Sequence, residues 1–381
     1  MSTIASPASP PSTAANSGGR LLSLDVFRGV TILAMILVNN PGGDPVFWPL
    51  DHAEWHGWTP TDLIFPFFLF VVGVSLVVSF SRRELAGAAP RQLARKAVLR
   101  GALIVVVGLL LSGFPHYDLA HLRIPGVLQR IGVVYALTAL VFLGFGPAAR
   151  RRIAAVLLIG YWLLLALVPV PGGVAGDLTD AGNLGAWLDR LLLGGHLWTP
   201  DFDPEGLLST LPAVATCLLG TFAGERLLAD RPPGERATGL LLLGAALIVA
   251  GLAWNALFPI NKGLWTSSYV LFTGGIACQA LAACHWAVDV KGREWWARPA
   301  YVFGTNALFA FVLSGLVSRG LSLWRVGAPG ETVSARQWLF EQVLAPAAGS
   351  MVGSLLFALA NVALVFLLTA PLYRRRIFIR L

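Results

Sequence analysis

Titratable side chains are crowded into a short stretch of the sequence immediately before a long apolar run. The stretch reads "DHAEWHGWTPTDLIFPFFLF" over residues 51–70 and contains two histidines and three carboxylates. A neutral imidazole with an orienting partner, in a site that excludes water, can act as a general base or as an acyl carrier. His52 lies close to Asp51 and Glu54 and is the candidate for such a role. An interfacial histidine bonded only to loop backbone is the alternative.

The same histidines raise the question of a metal site. His52 and His56 are four residues apart, as two ligands on one helical turn would be. However, "HAEWH" is not the H-E-x-x-H zinc motif because the glutamate is displaced by one position, and Gly57 and Pro60 disfavour a long helix there. We therefore expect no metal.

Long apolar segments must position these side chains. Hydrophobic residues make up 56% of the 381 residues and charged residues only 13%, whereas a soluble domain has roughly 25% charged residues. Runs of about 20 apolar residues can each cross a bilayer as a helix. We predict an all-α polytopic membrane protein with about ten transmembrane helices, at residues 22–40, 61–80, 97–114, 124–146, 152–168, 206–226, 237–257, 266–288, 299–320 and 350–373.

Basic residues are concentrated in alternate loops between these helices, at residues 82–100, 150–152, 226–236, 291–298 and 374–380. The positive-inside rule places these loops and both termini in the cytoplasm. The net charge of +8 is thus mainly an orientation signal, and we expect a lipid bilayer and no nucleic acid as partner. Residues 1–19 are rich in Ser, Pro and Ala and are predicted to be a disordered cytoplasmic tail, followed by one transmembrane domain over residues 20–381.

The loops predicted on the outer side are rich in His, Asp, Glu, Asn and Trp. Polar groups at a helix mouth, surrounded by aromatic side chains, are suited to a sugar or another polar substrate. The candidate substrate-binding residues are Trp55, His56, Asp203, Glu205, Asn261 and Lys262. For the acidic pair a capping role is equally open, because "DPEGLL" reads as a helix start with Pro204 in its first turn.

Several polar residues lie within the predicted helices. Asp25 and Arg28 are three residues apart on the first helix and share a face near its cytoplasmic end. Asn39 follows Asp25 by fourteen residues, which corresponds to about 21 Å along a helix.

A second polar group lies near the outer end of the fourth helix. Gln129 and Arg130 lie just inside this helix from the outer side, and Asp62 lies at a comparable depth on the second. A buried charge needs a partner, so we predict an Asp62–Arg130 ion pair. Ionisable residues within a membrane are functional candidates, and a purely structural ion pair is the alternative.

Five ordered motifs resemble the transmembrane heparan-α-glucosaminide N-acetyltransferase family and its bacterial relatives. They are "RLLSLDVFRGVTILAMILVNN", "HAEWHGWTPTDLIFPFFLFVVG", "LRIPGVLQRIGVVY", "DPEGLLSTLPAVATCLLGTFAG" and "PINKGLWTSSYV". The resemblance covers about residues 20–310, and the last 70 residues match loosely. It implies that acetyl-CoA, supplied from the cytosol, acetylates an amino sugar or glycan on the other side of a membrane. Here that side would be the periplasm of a bacterial inner membrane, and the resemblance also suggests a homodimer.

The resemblance also implies roles for individual residues. The proposed catalytic histidine of the family corresponds to His52, and the asparagine after the first helix corresponds to Asn39. His56 stands where the family often has Asn. Ser314 stands near a later histidine of the family, so a role for that histidine does not carry over.

These observations together give an expected site. The catalytic residues would be His52, Asn39 and Asp62, with Asn39 donating a hydrogen bond to the thioester oxygen. Residues expected to bind acetyl-CoA are Asp25, Arg28, Gln129 and Arg130, with Arg95, Lys96 and Arg100 as further candidates to neutralise its phosphates.

Two other functions fit the same sequence. One is O-acylation of a periplasmic glycan with another acyl donor, since nothing in the sequence sizes an acyl pocket. The other is a transporter or flippase, for which inverted repeats and paired broken helices would be expected. We see no convincing internal repeat, and the titratable groups collect at one face.

Overall fold

The computed structural model describes residues 21–327 and 332–379, so the tail predicted over residues 1–19 lies outside the described residues. The α-helices in chain order are α1 (Leu22–Val38), α2 (Ile64–Leu85), α3 (Pro90–Gly113), α4 (Val127–Gly144), α5 (Pro147–Leu167), α6 (Leu184–Leu193), α7 (Thr210–Leu227), α8 (Pro233–Asn255), α9 (Ser267–Cys284), α10 (Arg298–Thr305), α11 (Ala307–Leu323), α12 (Ala335–Trp338), α13 (Ala345–Ala348) and α14 (Ser350–Arg374). Short 3₁₀ turns form at Trp48–Leu50 and Pro60–Leu63, and π-helical segments at His285–Val290 and Leu339–Leu344. Strands β1 (Arg325–Val326) and β2 (Val333–Ser334) pair antiparallel.

The all-α prediction is confirmed, because each of the ten apolar runs contains a helix and the strands are two residues long. Within the described residues, six helical segments are long and apolar enough to cross a membrane. These are Pro60–Leu85, Pro90–Gly113, Val127–Gly144, Pro233–Asn255, Ser267–Val290 and Ser350–Arg374. The number becomes seven if the bent pair α10 and α11 counts as one span. The chain is thus an integral membrane protein, and a total of ten spans stays a prediction.

The ninth predicted helix is broken in the structure. α10 and α11 meet at Asn306 and are bent by 87°. The side chain of Asn306 accepts a hydrogen bond from the backbone N–H of Ile379 (2.8 Å) and donates one to the carbonyl of Ile377 (3.2 Å). The C-terminal segment therefore satisfies polar groups at a break that would otherwise be costly within a membrane.

Glycines allow close contact between the helices that carry the site. A Cβ atom built on Gly73 of α2 would lie 2.0 Å from the carbonyl oxygen of Cys217 in α7, and one on Gly220 would lie 2.0 Å from that of Phe70. Such small-residue contacts are typical of helix pairs in membranes. They fix α2, and the loop before it, against α7.

The outer helices expose apolar side chains around the molecule. α3 exposes Leu99, Leu103, Val106 and Leu110, and α8 exposes Leu241, Leu242, Val249 and Leu252. α2, α7 and α9 are instead mostly buried. An apolar exterior around a packed interior is the arrangement expected in lipid.

The connections between helices gather at two ends of the molecule. We call the "His52 end" the one that contains residues 39–63, 114–126, 194–209 and 256–266, which bond to one another across the chain. We call the "basic end" the one that contains residues 86–89, 145–146, 228–232 and 291–297. There Arg150 of α5 forms an ion pair with Glu225 of α7 at 2.7 Å.

Candidate active site

The loop that carries His52 is held by a capping box. Thr59 and Asp62 bond to each other's backbone at the start of the 3₁₀ turn, and Pro60 occupies its first position. Gly57 adopts a φ of +97°, a left-handed conformation that favours glycine. As the sequence predicts, residues 51–59 form no helix.

His52 is paired with a buried carboxylate. Its Nδ1 lies 2.6 Å from Oδ1 of Asp62, whose side chain is 1% exposed, whereas the His52 side chain is half exposed. The other oxygen, Oδ2, accepts the backbone N–H groups of Ala53 and Thr59, each at 3.0 Å. A carboxylate only accepts, so Nδ1 carries the proton and Nε2 keeps its lone pair. This is the tautomer that a base or nucleophile needs.

Lys262 completes this group from the loop between α8 and α9. Its Nζ lies 3.3 Å from Asp62 Oδ1 and 2.9 Å from His52 Nδ1. Burial lowers the pKa of Lys262, and the neighbouring Asp62 charge opposes that shift without cancelling it. Three residues far apart in sequence, all proposed for the site, therefore meet within hydrogen-bonding distance.

Asn261 links the His52 loop to the loop between α8 and α9 by hydrogen bonds. Its Nδ2 donates to the carbonyl of Trp55 (2.9 Å) and lies 3.3 Å from Nδ1 of His56, while its Oδ1 accepts the N–H of Leu264. Trp55 donates from Nε1 to Leu178, 2.9 Å away. Asn261 and Trp55 thus hold the loops, and His56 is exposed beside them.

The predicted Asp62–Arg130 ion pair is wrong. Arg130 donates to the carbonyl of Gly206 (3.1 Å) and to the hydroxyl of Ser209, and its guanidinium lies 5.1 Å from the centre of the Trp265 ring. Among the described residues its Nε and Nη1 atoms have no hydrogen-bond partner. Similar depth in two helices does not bring side chains together, because α4 presents Arg130 to the 206–209 segment instead.

Gln129 lies apart from the His52 group as well. Its Nε2 donates to the hydroxyl of Ser112 in α3 at 3.3 Å. Its carboxamide also fills the space beside Gly108 and Gly126. The structure therefore places Gln129 in the contact between α3 and α4.

Asp203 and Glu205 form a separate charged group. Both oxygens of Asp203 accept from Arg123, at 2.7 and 2.8 Å, and Glu205 accepts from the same guanidinium at 2.5 Å. Burial lowers the pKa of Arg123, but the two carboxylates raise this pKa by more than burial lowers it, so the net shift is upward. The alternative interpretation, in which "DPEGLL" begins a helix, is wrong because α7 begins at Thr210.

The two asparagines after α1 differ in environment. Asn39, the predicted oxyanion donor, is exposed at the end of α1. Asn40 is buried and donates from Nδ2 to the carbonyl of Ile36 (2.7 Å) and to the hydroxyl of Ser314 (3.0 Å). Ser314 thus helps to anchor the segment that leads to His52.

A cavity of about 500 Å³ opens near the basic end. Four arginines line it, together with Asp25, and the α2 residues on its wall extend from Phe68 to Arg83. At 1.5 Å per residue this wall is about 22 Å long. The inner end of the wall, at Phe68, is six residues beyond Asp62, or about 9 Å along the helix axis. The lining arginines are Arg28, Arg82, Arg83 and Arg100.

Arg28 is held in this cavity by three groups. It donates to Asp25 (3.2 Å), to the carbonyl of Gly304 (3.2 Å) and to the hydroxyl of Ser75 (2.6 Å). The structure therefore brings the predicted Asp25–Arg28 pair to a cavity wall. Of the basic residues predicted on α3, Arg100 lines the cavity, whereas Arg95 and Lys96 are exposed and outside the described lining.

Sequence reasoning missed some contributors to the site. Thr59 was detectable, because "TPTD" has the capping-box spacing of Thr and an acid three residues later. Arg123 and Asn40 were not singled out, because their partners Asp203 and Ser314 are 80 and 274 residues away. Only the packing of helices decides such pairs.

Comparison with known proteins identifies relatives of the chain. Residues 20–254 match the family model described as heparan-alpha-glucosaminide N-acetyltransferase, catalytic. The heparan-alpha-glucosaminide N-acetyltransferase of Homo sapiens is 32% identical over 77% of this chain and 52% of its own length. That of Mus musculus is 32% identical over 79% of this chain and 54% of its own length. The chain thus spans about half the length of these curated relatives.

Proposed function

The chain belongs to the heparan-α-glucosaminide N-acetyltransferase family, and we propose that it transfers the acetyl group of acetyl-CoA to an amino sugar or glycan across a membrane. One arrangement carries this proposal. A His52–Asp62 pair lies at one end of the molecule. A cavity lined by arginines extends along α2 from the other end toward it. A long cosubstrate with an anionic head and a reactive tip fits such a path.

We further propose that the basic end faces the cytoplasm of a bacterial cell and that the His52 end faces the periplasm. Most of the arginines lie at residues 82–100, 150–152, 226–236, 291–298 and 374–380, in the connections of the basic end, the helix turns beside them and the C-terminal segment. This distribution supports the orientation through the positive-inside rule. The proposed topology has the ten predicted spans, and both termini lie on the cytoplasmic side.

The donor would enter from the basic end. Arg82, Arg83 and Arg100 line the cavity and would neutralise the phosphates of CoA, because guanidinium groups form strong charge-assisted hydrogen bonds with phosphate. The pantetheine arm is largely uncharged and suits the apolar part of the wall, such as Val71 and Val72. The thioester would then reach toward Asp62 and its partner His52.

His52 would act through Nε2. In direct transfer, Nε2 takes a proton from the acceptor amine as the new N–C bond forms, the C–S bond breaks and CoA leaves as a thiolate that then gains a proton. In the two-step route, Nε2 itself takes the acetyl group and passes it to the amine. In both routes Asp62 stabilises the positive charge that develops on the imidazole, and Asn39 is the proposed donor to the thioester oxygen.

The acceptor would bind at the His52 end. His56 is exposed in the same loop as His52 and lies next to Asn261, so it would offer a hydrogen-bond partner for a sugar hydroxyl. Glu205 lies close enough to Lys262 to affect its pKa, and would hold a sugar hydroxyl or the ammonium form of the amine. Trp55, Asp203 and Asn261 would act by shaping the loops around the acceptor.

The test is label transfer by the purified protein in detergent. Radiolabelled acetyl-CoA and glucosamine are incubated with wild type, His52→Ala and His121→Ala. His121 is the matched control, because it lies at the same end and its Nδ1 is 2.7 Å from Asp118. We expect labelled sugar with wild type and His121→Ala only. Equal transfer by His52→Ala would refute the role of His52, and no transfer by wild type would direct the search to hydroxyl acceptors and longer acyl donors.

A further inference from the structure

Lysine is rare in this chain, yet one lysine contacts the proposed catalytic pair. The sequence has 28 basic residues, of which only Lys96, Lys262 and Lys291 are lysines. Lys262 alone lies at the His52 end. A lysine differs from an arginine in carrying a compact point charge on a flexible stem. Lys262 also lies beyond residues 20–254, the range of the family match.

The position of the lysine excludes a simple role as a second hydrogen-bond donor to His52. Its Nζ lies 2.9 Å from Nδ1 and 3.3 Å from Nε2 of the imidazole. Nδ1 already donates to Asp62 at 2.6 Å and has no lone pair left in that tautomer. The distances from Nζ to the two ring nitrogens are nearly equal, which places the ammonium group against the imidazole ring. There its positive charge acts on any charge that the imidazole takes up.

Two cations would therefore share one carboxylate oxygen whenever His52 is protonated. Asp62 Oδ1 would face both the imidazolium and the ammonium group, because its Oδ2 is occupied by the N–H groups of Ala53 and Thr59. A nearby carboxylate favours the charged imidazole, and a nearby ammonium group disfavours it. Asp62 alone would thus tend to hold His52 in the protonated form, which has no lone pair at Nε2.

We infer that Lys262 is a positioning residue whose positive charge keeps the imidazole of His52 neutral while Asp62 orients it. The lysine thereby preserves the lone pair at Nε2 for the acceptor or the acetyl group. The inference rests on the proposed function only in taking His52 as the group that acts on the substrate.

Other charged groups around His52 act on the same balance. Within its own loop, Asp51 accepts the backbone N–H of His52 at 2.8 Å, and Glu54 and His56 follow at exposed positions. From the 203–206 segment, Glu205 acts on Lys262 and is itself paired with Arg123. None of these lies between the lysine and the ring. Lys262 is the cation in direct contact with the imidazole.

The test measures the protonation of His52 without measuring catalysis. Diethyl pyrocarbonate reacts with a neutral imidazole and not with an imidazolium, so the rate of modification against pH gives a midpoint for each histidine. Chymotrypsin cleaves after Trp55 and Tyr117, which separates His52 from His56 and His121 from His116 for mass spectrometry. His121 pairs with Asp118 at 2.7 Å and serves as the reference histidine in every sample.

Wild type is compared with Lys262→Met, Lys262→Gln and Lys262→Arg. Removal of the charge in the Met and Gln variants should move the His52 midpoint upward by about one pH unit or more, because the imidazolium then loses its repulsion. The His121 midpoint should not move, and Lys262→Arg, which keeps the charge, should stay near wild type. Lys262→Gln retains a donor to Asp62 and replaces Lys262→Met if that variant does not fold.

An unchanged His52 midpoint in both neutral variants would overturn the inference, as would an equal shift in Lys262→Arg or a parallel shift at His121. The result also separates this inference from the proposed function. A shifted midpoint combined with full acetyl transfer by His52→Ala would reject the proposed role of His52 and leave the charge effect standing.

Discussion

The contact between His52 and Asp62 decides which ring nitrogen is available at the His52 end. Asp62 is almost completely buried, and donors from four residues surround it, namely His52, Ala53, Thr59 and Lys262. Such a carboxylate cannot rotate without losing several hydrogen bonds. The free nitrogen of His52 is therefore fixed by the backbone around Asp62 as much as by the histidine itself.

Asp62→Asn should show this dependence. Two backbone N–H groups at the Oδ2 position will hold the amide oxygen of the asparagine there, so its NH₂ group will face His52 Nδ1. The imidazole must then carry its proton on Nε2, and kcat should fall by about 10²–10⁴-fold. The measurement is steady-state acetyl transfer with thermal unfolding as a check on folding. Asp118→Asn makes the same change beside His121, and an equal loss there would contradict the argument.

At the level of elements, α2 connects the two ends of the molecule. Its first turns follow Asp62, and its middle and last turns line the arginine cavity. α3 and α4 complete the wall with Arg100 and Tyr135, whose guanidinium and ring centre are 5.3 Å apart. A substitution in the cavity should therefore change the binding of the proposed acetyl donor, acetyl-CoA, without disturbing the His52 group.

Arg100→Ala should raise the KM for acetyl-CoA by about tenfold or more, since hydrogen bonds to charged groups contribute about 1.5–3 kcal/mol. The KM for the acceptor should change little. Arg95→Ala is the control, because Arg95 lies on the same helix and is exposed outside the described cavity lining. The measurement is the initial rate at varied acetyl-CoA concentration, which gives the KM of each variant. An equal rise in KM for Arg95→Ala would argue against the cavity as the acetyl-CoA site.

Gly73→Ala should destabilise the contact between α2 and α7. Its Cβ would lie 2.0 Å from the carbonyl oxygen of Cys217, and backbone cannot move aside cheaply. Overpacking of this kind costs about 1–3 kcal/mol, so the unfolding midpoint in detergent should fall. Gly160→Ala on α5 has nothing within 4 Å of the new Cβ and should leave the midpoint unchanged or slightly higher. Similar midpoints for the two variants would show that the helices are not packed so closely.

At the scale of the whole molecule, charge separates the two ends. Arginines dominate the basic end, and His, Asp, Glu and Lys262 gather at the His52 end. In a membrane this asymmetry would orient the protein and keep donor and acceptor on opposite sides. It would also separate the proposed reactive histidine from the arginines that line the cavity.

Cysteine labelling in intact bacterial cells tests this orientation. In a variant whose three cysteines are replaced by alanine, Leu119→Cys introduces a thiol at the His52 end and Leu85→Cys one at the basic end. Both leucines are well exposed, at 72% and 90%. A membrane-impermeant maleimide should label only Leu119→Cys until the membrane is opened. Labelling of Leu85→Cys alone in intact cells would invert the proposed topology.

The sequence by itself determined the membrane class, the helical runs and the His52 candidate, because hydropathy and local motifs depend on near neighbours. Only the tertiary structure decided which side chains pair with one another. It paired Asp62 with His52 and Lys262 rather than with Arg130, and it attached Asp203 to Arg123. It also bent the ninth run at Asn306 and buried Asn40 instead of Asn39. Those choices depend on how helices rotate and pack against each other, which spacing along one chain does not encode.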